Sequence, residues 1–216
     1  MDKQYYNKVF SNQRMQKYFD KYPNNYEKAI VHYKCNIEIS GAFYSSLSIF
    51  EVALRNSLNR ELTRFFGTAE WYLQIDQENG LESFASNIKT AKYQITKRKE
   101  AITANKIVEE LTLGFWVKLL NAKYERILWK PLRKAFPFME KEERQRRNVS
   151  APINKIRDFR NRAFHHEPIC WNLVVLNTMH SRILKVIGWI NEDLPEFAVE
   201  LDKFPEVLNL IKQRLH

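Results

Sequence analysis

The sequence predicts an all-α fold, and three observations carry that prediction. Apolar residues recur at steps of three and four over long stretches. Only 5 Gly and 7 Pro interrupt 216 residues, too few to punctuate many short strands and turns. Hydrophobic residues make up 44% and aromatic residues 13%, which a disordered chain would lack. The length suits one large domain, and residues 1–216 read as a single one.

Taken in order, residues 1–40 are rich in Lys, Asn and Tyr. Asp20, Pro23 and Asn24-Asn25 mark a turn between two helices. Residues 42–66 carry the clearest pattern. Phe43, Leu47, Phe50, Leu54, Leu58, Leu62 and Phe65 share one helical face, which must be buried, and Gly67 ends the helix. Residues 82–110 read as one polar helix with a basic middle of Lys89, Lys92, Lys97, Arg98 and Lys99. A solvated outer face is the simplest account of that charge.

Residues 107–121 form an amphipathic stretch through Ile107, Leu111, Phe115, Leu119 and Leu120. Residues 124–136 form another through Tyr124, Leu128, Trp129, Leu132 and Phe136, which Pro131 kinks or splits and Pro137 closes. Trp116 and Trp129 read as core aromatics rather than platforms for bases. Residues 140–150 are a charged connector. Ser150 is the expected cap of the next helix, with Pro152 near its first turn. Ile153, Ile156 and Ala163 mark that helix's buried side. Pro168 drives Glu167 out of helical geometry, so the helix should end at His165-His166. A last pair of helices spans about 169–190 and 204–215.

A net charge of +10 attracts polyanions, but charge alone does not separate a nucleic-acid binder from a merely soluble protein. Cys35 and Cys170 stand far apart, which argues against a disulfide framework and for a reducing cytoplasm. The start, Met1-Asp2-Lys3-Gln4-Tyr5-Tyr6, is too polar for the core of a signal peptide. No uninterrupted apolar run approaches the ~18 residues of a membrane span. A soluble cytoplasmic protein with no membrane association is the expectation.

The candidate chemistry lies at one helix end. His165 and His166 are two of only five histidines. Between residues 144 and 162 stand Arg144, Arg146, Arg147, Lys155, Arg157, Arg160 and Arg162, against Asp158 as the single acid. Such crowding of positive charge suits a bound polyanion. Arg157, Asn161 and His165 fall four apart on one helical stripe, and Arg162 lies beneath His166. Arg160 is five residues before His165, about 140° away on an ideal helix. A second copy of the motif across a dimer is another way to bring these groups together.

RNA transesterification suits this set. The ribose 2′-OH is its own nucleophile, so neither a protein nucleophile nor a metal is needed. An imidazole, with its ordinary pKa of about 6.5, can take up or give a proton near neutrality. Arginine can grip the phosphate and offset charge on the phosphorane, while Asn161 orients. The plain alternative is a histidine that merely caps a helix. Zinc held by His165, His166, Glu167 and Cys170 is disfavoured, because adjacent histidines on a helix diverge by about 100°. No metal or other cofactor is expected, and no Gly-rich phosphate loop is present.

The segment Ile156 to Ile169, with Arg160-Asn161-Arg162-Ala163-Phe164-His165-His166-Glu167-Pro168 at its heart, resembles the signature of bacterial Abi-like (abortive infection) proteins of the HEPN superfamily. Arg160, Asn161 and His165 resemble that superfamily's Arg-x4–6-His motif at x4 spacing; His166 fits x5. Phe50-Glu51-Val52-Ala53-Leu54-Arg55-Asn56 is similar to a second motif. Leu111-Thr112-Leu113-Gly114-Phe115-Trp116 is similar to a third, and Tyr124-Glu125-Arg126 through Phe136-Pro137 to a fourth. The likeness covers about residues 33–190.

The resemblance implies a HEPN-type helical bundle with additional helices and a homodimer whose two motifs face one cleft. It implies metal-independent RNA cleavage in phage defence or as a toxin. Some HEPN proteins only bind RNA or a partner, and a subunit that needs an antitoxin or a guide-like RNA and is inert alone is a further reading. On this expectation Arg160, Asn161, His165 and His166 are catalytic. Lys155, Arg157, Arg162, Arg146 and Arg147 bind RNA. Arg55 and Asn56 either line the cleft or, as the simpler account, hold the bundle together.

Overall fold

In this computed structural model residues 3–75 and 77–215 are described, and among them the chain is all-α, with no strand. The helices are α1 (Lys3–Phe10), α2 (Asn12–Lys21), α3 (Tyr26–Ala42), α4 (Tyr44–Phe66), α5 (Ala85–Lys97), α6 (Ala104–Glu110), α7 (Leu113–Lys118), α8 (Lys130–Leu132), α9 (Arg146–Phe164), α10 (Leu173–Ile190), α11 (Leu194–Glu200) and α12 (Phe204–Leu215).

The turn foreseen around Pro23 separates α2 from α3, and the Asn25 side chain caps α3 by accepting from the Lys28 N–H. The α4 stripe is the axis of the core. Phe43, Leu47, Phe50, Leu54, Leu58 and Leu62 are fully buried. Phe65 departs from the expected face and is exposed, while its neighbour Phe66 packs against the core. A step of four from Leu62 keeps the angular position better than a step of three. Gly67 then takes the left-handed conformation (φ 71°) that ends the helix. With α3, α4 forms a 41-residue stretch, Tyr26–Phe66, whose length and apolarity meet the minimum for a membrane span. Much of its apolar face is core, packed by α10, α7 and α8.

Residues 82–110 are not one helix. A short 3-10 turn (Glu82–Phe84) leads into α5, the backbone turns back at Lys99 (φ 59°), and Thr103 caps α6 by accepting from the Lys106 N–H. The turn buries both Ile95 and Ile107, which a single straight helix would carry apart. The next stretch also divides, because Leu111 is extended between α6 and α7. Ile107, Leu111, Phe115, Leu119 and Leu120 are nonetheless all buried, as their spacing demanded. Pro131 does not break 124–136, which stays helical but changes type: a π-helical turn (Glu125–Trp129) passes into α8, which holds Pro131, and then into a 3-10 turn (Arg133–Ala135).

Helix α9 starts one turn before the expected cap. Ser150 is buried inside it, accepting from Arg146 Nη1, and Pro152 lies within the helix. Burial of Val149 and Ser150 holds that extra turn against the local signals. Helix α11 (Leu194–Glu200) is a further helix between the two expected at the end of the chain. It packs on α10 and α4. Cys35 and Cys170 are both buried and unbridged. A smaller apolar cluster of Met15, Tyr18, Phe19, Ala29, Ile30 and Tyr33 joins α2 to α3.

Candidate functional site

Helix α9 ends where Pro168 requires. The His165 N–H donates to the Asn161 carbonyl (2.9 Å), His166 to Ala163 (3.1 Å) and Glu167 to Arg162 (2.9 Å). The last two bonds form a Schellman turn, and His166 occupies its left-handed position at φ 58°. Glycine is the usual residue there; a Cβ makes the conformation less favourable. Both histidines are exposed.

Two side chains of α3 lock this turn in place. Asn36 is buried; its Oδ1 accepts from the Ile169 and Cys170 N–H groups (2.7 and 3.0 Å), and its Nδ2 donates to the Glu167 carbonyl (3.2 Å). One turn earlier, His32 Nε2 lies 2.6 Å from the Cys170 carbonyl, while Nδ1 lies 3.1 Å from the Tyr22 hydroxyl. A carbonyl only accepts, so Nε2 carries the proton and Nδ1 accepts from Tyr22. Burial pushes the His32 pKa down, opposed by the Cys170 carbonyl and aided by Lys21. The ring packs edge-on against Trp171. Arg14 of α2 adds a third brace, donating to the His166 carbonyl at 2.5 Å.

Arg160 and Asn161 line an open cleft of about 600 Å³ between α9, α4 and the α6–α7 junction. Arg160 is gripped by Glu51 of α4: Nε donates to Oε1 at 2.6 Å and Nη2 approaches Oε2 at 3.5 Å. Its guanidinium also covers the Phe164 ring at 4.6 Å. Nη1 of Arg160 makes no hydrogen bond among the described residues. His165 lies beyond the cleft lining, one turn past Asn161 at the exposed helix end. His166 faces a second hollow on the other side of Phe164.

Arg55 lines the cleft, whereas Asn56 borders a separate depression near Pro137 and Phe138. Arg55 Nε also donates to Asn56 Oδ1 (3.3 Å). Trp116 is buried in the cleft wall, its indole N–H donating to the Leu111 carbonyl. Trp129 is half-buried against the core.

The basic run is less free than its composition suggests. Arg144 donates to the Pro137 and Met139 carbonyls, Arg146 to Glu125, Arg157 to Asp158, and Arg162 to Glu167 and the Pro168 carbonyl. Arg147 and Lys155 are exposed, and neither is paired among the described residues. The cleft itself holds the carboxylates Glu51, Glu109 and Glu110. Arg98 pairs with Glu110 at 2.6 Å, leaving Glu109 without an ion pair among the described residues.

Cys170 is unsuited to nucleophilic work, since burial pushes its thiol up to about 12. The pairings of Glu51, His32, Asn36 and Arg14 were not legible beforehand. One signal was present: His32, Asn36 and Ser40 form a polar i, i+4, i+8 stripe on α3. Comparison of the chain with family models, with curated proteins and with solved structures finds no match.

Proposed function

We propose that this protein is a metal-independent endoribonuclease of the HEPN type, acting in the cytoplasm as a defence or toxin-like effector. The observation that carries the reading is the end of α9. Arg160 and Asn161 line an open cleft, and His165 stands exposed one turn further on a rigidly braced turn. Arg160 Nη1 is available to a phosphate oxygen, while Glu51 and Phe164 hold the guanidinium plane. His165 takes the 2′-OH proton or gives a proton to the leaving 5′-oxygen. Asn161 orients the phosphate, and His166 is an auxiliary. A homodimer places two such ends over one strand and supplies the second proton-transfer group.

Arg147 and Lys155, exposed and without an ion pair among the described residues, are the cations of the basic run left free to attract the RNA backbone. The products are a 2′,3′-cyclic phosphate and a 5′-OH. Cleavage of mixed RNAs in excess EDTA, with DNA left intact, is the expected result. Metal-dependent cutting of both nucleic acids would overturn the scheme.

A non-catalytic RNA- or partner-binding module is the second reading. The Glu51–Arg160 ion pair favours it, because it occupies the arginine with a carboxylate. RNA retention without cut ends by the purified protein selects this reading. Latent activity released on removing an antitoxin or regulatory RNA selects the first.

A further inference from the structure

The second hollow lies between α1, α3 and the end of α9 and has a volume of about 1030 Å³. Its character differs from that of the cleft. Phe10, Tyr33, Tyr44 and Phe164 contribute aromatic rings, Lys8 and Arg14 contribute positive charge, and no carboxylate lines it. Tyr44 is 65% exposed and borders both hollows, as does Phe164. The two rings lie 6.4 Å apart. They form a ridge, with Arg160 on one side and the trench on the other. A strand whose phosphate sits at Arg160 would pass over Tyr44 into the trench.

We infer that this trench is a binding site for unpaired nucleobases flanking the cleaved bond, with Tyr44 as the stacking surface, Phe10 (itself packed on Tyr6 and Tyr33) as an apolar wall and Lys8 holding the backbone. The inference rests on the ribonuclease reading and names its substrate class as single-stranded RNA. Two features select this occupant. Aromatic faces beside cations are what single strands require, since every base has a face to stack and every linkage a charge to neutralise. The absence of a lining carboxylate makes the trench complementary to a polyanion, whereas the cleft carries Glu109, which has no ion pair among the described residues. Duplex RNA has its bases already stacked and cannot use the trench.

The test is a fluorescein-labelled 2′-O-methyl hexaribonucleotide, which lacks the attacking hydroxyl and so reports binding without cleavage. An abasic strand of equal charge is the control. Gly41 lines the trench, and a Cβ built there meets nothing within 4 Å, so Gly41→Trp fills the space. The expected result is hexamer affinity lowered about tenfold or more, the loss of a stacked base, with abasic affinity lowered much less because only the Lys8 contact is lost. Phe10→Ala, checked by its melting curve, gives an independent loss in the same direction.

Equal hexamer affinity in wild type and both variants overturns the proposal, as does a wild type that does not bind the hexamer. A trench variant that loses self-association while keeping hexamer affinity assigns the face to a second copy of the chain instead. Hexamer binding lost in Gly41→Trp, with no RNA cut by wild type, upholds the trench and sinks the ribonuclease reading. RNA cut by wild type, with hexamer affinity indifferent to both variants, does the reverse.

Discussion

Arg160 is held on three sides, by the two Glu51 oxygens and the Phe164 ring, which leaves one guanidinium nitrogen for a ligand. Its role and that of His165 are separable by substitution. On the ribonuclease reading, His165→Ala should lower RNA cleavage by about 10²–10⁴ while the melting curve changes little, because the residue is exposed. Undiminished cleavage would remove His165 from the mechanism. His166 poses a different question, since its backbone is left-handed. His166→Gly should raise stability by up to about 1 kcal/mol by relieving that conformation. Its cleavage rate then reports the auxiliary role without a folding artefact. Glu109 faces the cleft without an ion pair among the described residues. Glu109→Gln should tighten RNA binding at low salt, with the gain fading as salt screens the charge. Unchanged affinity at low salt would place the RNA path elsewhere.

At the scale of elements, α3 matters as much to the candidate site as α9 does. Asn36 satisfies two buried N–H groups and one carbonyl of the turn after α9, bonds spanning more than 130 positions. Asn36→Ala leaves both donors unmet and should cost about 2–4 kcal/mol in chemical denaturation. Hydrogen exchange should speed up at residues 167–170 in step. A smaller loss with unchanged exchange would show that the turn holds itself. The register of α4 can be checked the same way. Phe50→Ala should destabilise by about 3–5 kcal/mol, whereas Phe65→Ala, on the exposed side, should be nearly neutral.

For the molecule as a whole, pH couples stability to the site through His32. Its pKa is lowered in the fold by burial, so the folded state keeps the neutral ring. Above about pH 6.5 the ring is neutral in folded and unfolded chains alike and contributes no pH dependence. As pH falls below that value the unfolded chain takes up the proton first, and stability drops until the folded-state pKa is passed. His32→Gln should flatten the loss of stability between about pH 6.5 and the folded-state pKa. An unaltered acid limb in thermal melts would assign the acid sensitivity to other groups.

The spacing of apolar residues was enough to fix the all-α class and the buried face of α4 as far as Leu62. It also fixed the end of α9, because Pro168 and helical periodicity act within a few residues of where they are read. Local signals and structure part where packing competes with them. Ser150 is buried within α9 rather than capping it, and Lys99 turns back so that Ile95 and Ile107 can both enter the core. The composition of the basic run was plain, yet its available charge was not. Glu51 stands 109 residues from Arg160 and Asn36 131 residues from Glu167. Nothing local in a chain encodes which distant carboxylate or amide will meet a given group. Only the packed helices bring such partners within bonding distance.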